Sequence, residues 1–472
     1  MGFTDSLADY FGFEEHDTDL RTEVIAGITT FLAMAYIVVV NPTVLASAIQ
    51  IQGVSSDAVY QMIAVVTLLA SAVAMLVMAF YANRPFGLAP GLGLNAFFAY
   101  TVVGALGIPW QTGLAAVVTE GVIFILLTLV GAREYVIRLF PEPVKFAVGT
   151  GIGLFLAIIG LNAMGIVIGD GGTIVALGPV ASNPVSILAV IGLFVTLALY
   201  ARGVKGSIVI GIVGTTVLGA LLTFAGVVDP GVLIGKWIQP GGFQPSAFPQ
   251  ATYDISPLVG SFVQGFRNVE PFGFALVVFT FFFVDFFDTA GTLVGVGQIG
   301  GFLDDDGNLP DIDKPLMADA VGTTVGGVLG TTTVTTFVES ATGVEEGGRT
   351  GMTALVVAVL FLVSLVFVPL AAAIPQYAGH IALVVVGVLM LSNVTNVDWD
   401  DPTHSIPAAL TIIVMPFAYS IAYGIAAGIV AYPVVKVATG ESDDVRLGQW
   451  LLALAFVVYF VVRTSGILSQ AI

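Results

Sequence analysis

The chain has 472 residues, 57% of them hydrophobic and only 10% charged, with a mean hydropathy of +1.01 and a formal charge of −18. That much apolar surface excludes a soluble fold at this length, and the acidic balance argues against a nucleic-acid partner. With no cysteine, disulfides, thiolate metal sites and cysteine nucleophiles are excluded.

In chain order, the acidic N-terminal tail (1–20, "MGFTDSLADYFGFEEHDTDL") lacks the basic and apolar regions of a cleavable signal peptide. Apolar cores follow at Ile28–Val40, Met62–Phe80, Leu114–Val130, Ile187–Tyr200 and Ile208–Phe224. Most reach spanning length once neutral flanks are counted. A Pro- and Gly-rich stretch, 227–271, divides the chain near its middle. Further apolar segments occupy 272–440, among them Ala354–Ala373, and a last hydrophobic segment, 441–472, contains Leu451–Val462. Residues 406–437 read either as one long helix or as a hairpin through "PFAYSIAYG"; in the hairpin case 446–464 is an additional span or an interfacial helix. The acids gather in connections such as "FLDDDGNLPDID", "VDWDD" and "GESDDV". These are solvated surface and point to a prokaryotic, salt-rich source.

Basic residues give the orientation. Arg21, Arg84, Arg133, Arg138, Lys145, Arg202, Lys205, Lys314 and Arg349 fall in alternate connections, whereas 41–59, 104–112 and 163–184 carry none. The positive-inside rule places the N-terminus in the cytoplasm and the 227–271 loop outside, with Lys236 and Arg267 as exceptions. About seven spans lie on each side of that loop, so the second repeat (272–440) enters inverted relative to the first (21–226), as in many secondary transporters. His16, His380 and His404 fall outside span centres, which disfavours a histidine proton relay.

Two apolar segments at matching positions are interrupted. In "PFGLAPGLGLNAFFAYTVV", Pro90, Gly91 and Gly93 break the helix, which restarts with Asn95 in its first turn. In "TTTVTTFVESATGVEEGGRTG", Thr331–Phe337 favours extended backbone, and Gly343, Gly347 and Gly348 limit the helix that follows. Paired interruptions of this kind are the best pointer to a transporter site. Non-helical backbone at membrane depth must be satisfied by protein, so the two extended pieces are expected to pair, with the following half-helices aiming N–H groups into one cavity. Glycines that merely permit tight helix packing are the bland alternative.

The eighth span, "FFFVDFFDTAGTLVGVG", puts Asp285 and Asp288 on one helix face, with Thr289 and Thr292 extending the polar edge. Carboxylates inside a span are functional candidates by default, and two such neighbours do not both ionise easily, a useful property in a proton carrier. Glu339 directly follows the extended run, with Asn95 as its first-half counterpart. Together they offer acceptors and an amide to a flat polar heterocycle, and Phe97, Phe98, Phe283, Phe287 and Phe337 are available to stack on it. Glu120 and Thr289 are secondary candidates, Glu120 as a helix-to-helix partner or part of a proton path. Asp319 reads as the start of the ninth span, and Glu345 and Glu346, next to Arg349, as the cytoplasmic end of the tenth segment, making an ion pair or a gate contact there. "GVGQIG" follows a membrane helix rather than a strand and is not a dinucleotide motif.

The stretches "RTEVIAGITTFLAMAYIVVVNP", "APGLGLNAFFAY", "FFFVDFFDTAGTL" and "TTFVESATGVEEGGRTG" together resemble the AzgA-like adenine/guanine/hypoxanthine permeases of the nucleobase–cation symporter 2 (nucleobase–ascorbate transporter) superfamily. The resemblance implies an all-α polytopic fold, a seven-plus-seven inverted repeat of about 14 segments with short strands in segments 3 and 10, and separate core and gate domains. It implies a proton-coupled, elevator-like purine nucleobase symporter in the cell membrane, not an enzyme, with a homodimer contact through the gate domain. Neither an organic cofactor nor a metal is implied; the coupling ion is H+, with Na+ left open. Carried over, the substrate site falls on Asn95, Asp285, Asp288, Phe337, Val338 and Glu339, and proton coupling on Asp285, Asp288 and Glu339. Rival readings are an anion or sulfate carrier of the same fold and a cation channel with an acidic ring.

Overall fold

The computed structural model describes residues 3–131, 139–169, 172–267, 269–304 and 308–464. Arg133 and Arg138, used above for orientation, lie outside the described residues.

The N-terminal tail folds back as helix α1 (Phe3–Phe11) instead of trailing in solvent. Phe11 and Phe13 are buried against Met352, and the Tyr10 hydroxyl donates to the Phe80 carbonyl at 2.9 Å. The first span consists of α2 (Leu20–Met34), capped by Asp19, and α3 (Ile37–Leu45), which contains Pro42. After α4 (Ser56–Val77) the backbone widens into a π turn and ends at Asn83, whose φ is 48°. The third segment is broken into strand β1 (Leu88–Pro90), α5 (Leu92–Ala96) and a π-helix over Phe97–Ala105. Next come α6 (Trp110–Leu129), α7 (Glu142–Ala163), α8 (Pro184–Ala201) and α9 (Ser207–Phe224).

The dividing loop is folded. It carries a small hairpin, Ile238–Gln239 with Gly242–Phe243, and Gln61 holds it from below, donating to the Gln250 carbonyl and accepting from Thr252 N–H.

The second half begins with the 30-residue α10 (Pro271–Gly300), followed by α11 (Asp313–Leu329). "GVGQIG" is the end of α10, as expected of a membrane helix. Strand β2 (Val334–Thr336) and α12 (Ser340–Glu345) make the second broken segment. Then follow α13 (Gly351–Ser364), α14 (Gln376–Met390), α15 (Pro402–Phe417), α16 (Ile421–Ala438) and α17 (Leu447–Thr464). The alternatives left open for 406–437 resolve into two helices: Tyr419, at φ 52°, turns the chain between α15 and α16, and α17 is a further apolar helix.

Among the described residues, ten helical stretches are long and apolar enough to cross a membrane. They pack in two groups: α7, α8, α9, α14, α15 and α16 on one another, and α2, α4, α6, α10, α11, α12 and α13 on one another. Glycines permit the close α6–α11 approach. A Cβ at Gly327 would sit 2.7 Å from Val118, and one at Gly121 would sit 2.8 Å from the Thr324 nitrogen.

Candidate functional site

The two interrupted segments meet. β1 and β2 pair antiparallel in the register Leu88↔Thr336, Ala89↔Thr335 and Pro90↔Val334. The ladder continues past both ends, from Gly91 N–H to the Thr333 carbonyl (3.0 Å) and from Phe337 N–H to the Gly87 carbonyl (2.9 Å). Pro90 has no N–H to give, and the Val334 N–H opposite it is taken by the Thr323 hydroxyl at 3.1 Å. Gly87 N–H finds Ser340 Oγ at 2.9 Å. The extended backbone is thus satisfied inside the protein, the condition for placing it away from water. Gly91 has to be glycine for space: an added Cβ would lie 2.6 Å from Thr335 Cγ2.

Asn95 is fully buried and serves the crossing itself. Its Oδ1 accepts from the Thr332 hydroxyl, and its Nδ2 points at the Pro90 carbonyl at 3.4 Å. Asn41, which the sequence did not single out, does the same from α3, donating to Thr67 at 2.6 Å and Thr331 at 2.9 Å. α5 and α12 are only five and six residues long. α5 continues directly into the π-helix, so Leu92–Ala105 forms one helical stretch, whereas α12 is a single short turn of helix. Gly343 sits inside α12 rather than ending it; its missing side chain lets Thr30 and Ala26 of α2 close in.

The paired acids of α10 separate into two environments. Asp288 is partly accessible, within hydrogen-bond reach of the Thr335 hydroxyl and close enough to Glu339 to feel its charge. Glu339, also partly accessible, accepts a 2.6 Å hydrogen bond from the Tyr36 hydroxyl. Val338 beside it is 63% exposed. Asp285, by contrast, is fully buried among Glu120, Asp319 and Thr323. Asp319 is therefore no mere helix start. It is the seventh residue of α11, fully buried, and accepts from Thr289 Oγ1 at 2.6 Å. Thr289 also lies 2.6 Å from Thr335 Oγ1.

Of the phenylalanines named above, Phe337 packs on the Tyr36 ring that holds Glu339, their centres 6.4 Å apart. Phe97 packs edge-on against Phe281, Phe283 and Phe287 pack on Phe140, and Phe98 fills the space beside Gly113. These four are core contacts. The exit end carries the expected ion pair, made between the two helix groups. Glu346 pairs with Lys205 across the two helix groups, while the Arg349 guanidinium donates to the Val344 and Gly348 carbonyls. Tyr36 is the site residue that sequence reasoning missed; its only signal was a hydroxyl in the middle of an apolar span, "AMAYIVVV".

Residues 21–427 match the Permease family. The chain is 38% identical to the adenine permease AdeP of Escherichia coli over 96% of this chain and 96% of that protein. It is 40% identical to the guanine/hypoxanthine permease PbuO of Bacillus subtilis over 96% and 99%. Its fold is similar to the transmembrane domain of the cyanobacterial bicarbonate transporter BicA, with a TM-score of 0.57 at 18% identity, covering 87% of this chain and 97% of that one.

Proposed function

The chain belongs to this Permease family, and we propose that it is a proton-coupled importer of the purine nucleobases adenine, guanine and hypoxanthine that works by elevator-type alternating access. The observation that carries the reading is the presence of two partly accessible carboxyls at the strand crossing, Asp288 near Thr335 and Glu339 bound to the Tyr36 phenol. A purine presents several N–H donors along its edge, and two carboxyl acceptors at one crossing match them. The names of the relatives support the same substrate class.

In this reading Glu339 and Asp288 accept from the purine, Phe337 and Val338 supply ring and backbone contacts, and Asn95 fixes the crossing. Asp285, with Asp288 and Glu339, handles the coupling proton. The helix group containing the crossing is the moving core. The group of α7–α9 and α14–α16 is the gate, which also makes the homodimer contact. The two broken segments are equivalent parts of a seven-plus-seven inverted repeat of about 14 segments, N-terminus cytoplasmic. Neutralising carboxylates before the core crosses the bilayer lowers the cost of the move. The fold likeness to an anion transporter does not favour anion carriage here, because a site built on two carboxyls repels anions.

The test is uptake of radiolabelled hypoxanthine by proteoliposomes, competed by unlabelled adenine and guanine, with either a pH or a sodium gradient imposed. Saturable, competed uptake driven by the pH gradient is expected. Uptake driven by sodium alone moves the coupling to Na+, and absence of saturable uptake removes the reading.

A further inference from the structure

Three carboxyl groups from three helices converge beside the crossing: Glu120 of α6, Asp285 of α10 and Asp319 of α11, each fully buried. Asp285 lies within hydrogen-bond reach of both of the others. Each has one oxygen with no donor: Glu120 Oε1, Asp285 Oδ1 and Asp319 Oδ2. The remaining contacts come only from threonines, Thr333 on Glu120 (3.5 Å), Thr323 on Asp285 (3.5 Å) and Thr289 on Asp319 (2.6 Å). Thr323 also reaches the Val334 carbonyl at the shorter distance of 3.0 Å, so its single proton serves Asp285 poorly. Among the described residues, the other titratable groups bearing on the three are Asp288 on α10 and, beyond it, Glu339, and no cation takes part. Among the described residues no such group is placed to hold a metal ion.

Buried carboxylate oxygens facing one another are untenable unless hydrogens lie between them. The geometry points to a second proton site, the Glu120–Asp285–Asp319 cluster, whose ligand is one or more protons shared between the carboxyls and which exchanges protons with the substrate side through Thr289 and Thr335. The path is continuous: Asp288 to Thr335, Thr335 to Thr289 at 2.6 Å, Thr289 to Asp319 at 2.6 Å. A proton leaving Asp288 is taken by Thr335, which gives its own to Thr289, which gives its own to Asp319. One proton is transferred, and each hydroxyl ends intact with its direction reversed. The exchange step rests on the nucleobase reading; the proton site does not.

The experiment is infrared spectroscopy of the purified full chain at neutral pH, with and without hypoxanthine. A protonated-carboxyl band that shifts in heavy water is expected without substrate, and it is lost in Glu120→Gln and in Asp319→Asn. If one variant fails to fold, the other gives the same reading. A band unchanged by both, or no band, overturns the site, as does its disappearance when sodium replaces choline. Hypoxanthine is expected to shift the band in the wild type and not in a Thr289→Val, Thr335→Val double variant; a shift that survives there overturns the exchange path. A wild type that keeps the band but binds no nucleobase retains the proton site while removing the proposed substrate.

Discussion

Tyr36 and Glu339, from opposite halves of the chain, are joined by a 2.6 Å hydrogen bond. The phenol holds one carboxylate oxygen and leaves the other to a ligand. A hydrogen bond to a charged group contributes about 1.5–3 kcal/mol. Tyr36→Phe is therefore expected to weaken hypoxanthine binding by about tenfold or more, with the change in KM and little in maximal rate. Uptake kinetics of the variant check it; an unchanged KM sets Tyr36 outside the site.

Glu339→Gln and Asp288→Asn keep shape but remove charge and acceptor capacity. Both are expected to abolish pH-dependent hypoxanthine uptake, because each replaces an acceptor with a group that also donates toward the purine N–H. Wild-type uptake by either variant contradicts its assignment.

Much of this was legible in the sequence. Pro90 and Gly91 in one segment and the threonine run in the other marked both breaks, and the structure pairs them as β1 and β2. Glu339 and Asp288 were legible because carboxyls in apolar runs are conspicuous. What helical periodicity could not show is depth. Asp285 and Asp288 share a face by spacing, yet one is fully buried with Glu120 and Asp319 and the other is partly accessible near Glu339. Asp319 and Tyr36 were missed for the same reason. Their partners lie tens to hundreds of residues away, and only the crossing brings them near. An ion pair at Glu346 was legible, but its partner was not, because Lys205 is close in space and remote in sequence.

Gly91 carries a packing constraint that can be tested apart from chemistry. Gly91→Val places atoms into Thr335 at the middle of β2. Overpacking of this kind costs typically about 1–3 kcal/mol. The variant is expected to melt at lower temperature in detergent and to lose hypoxanthine binding, whereas Gly214→Ala, on helical backbone with open space around its Cβ position, is the control for an unrelated glycine.

Glu23 is fully buried and accepts from Arg349 N–H (2.9 Å), Thr350 N–H (3.2 Å), Thr353 N–H (3.0 Å) and the Thr353 hydroxyl (2.6 Å). It caps α13 from α2, tying the first span to the element after the crossing. Glu23→Ala leaves several buried donors unmet, at about 1–3 kcal/mol for each. A clear fall in thermal stability is expected, measured by unfolding in detergent; an unchanged melting temperature contradicts the capping role.

The most direct test of the central claim is hypoxanthine accumulation by proteoliposomes under an imposed pH gradient, with and without a protonophore, comparing wild type with Glu339→Gln. The expected result is accumulation against a concentration gradient that the protonophore collapses and the variant lacks. Accumulation indifferent to both the proton gradient and Glu339 would contradict proton-coupled nucleobase transport at the strand crossing.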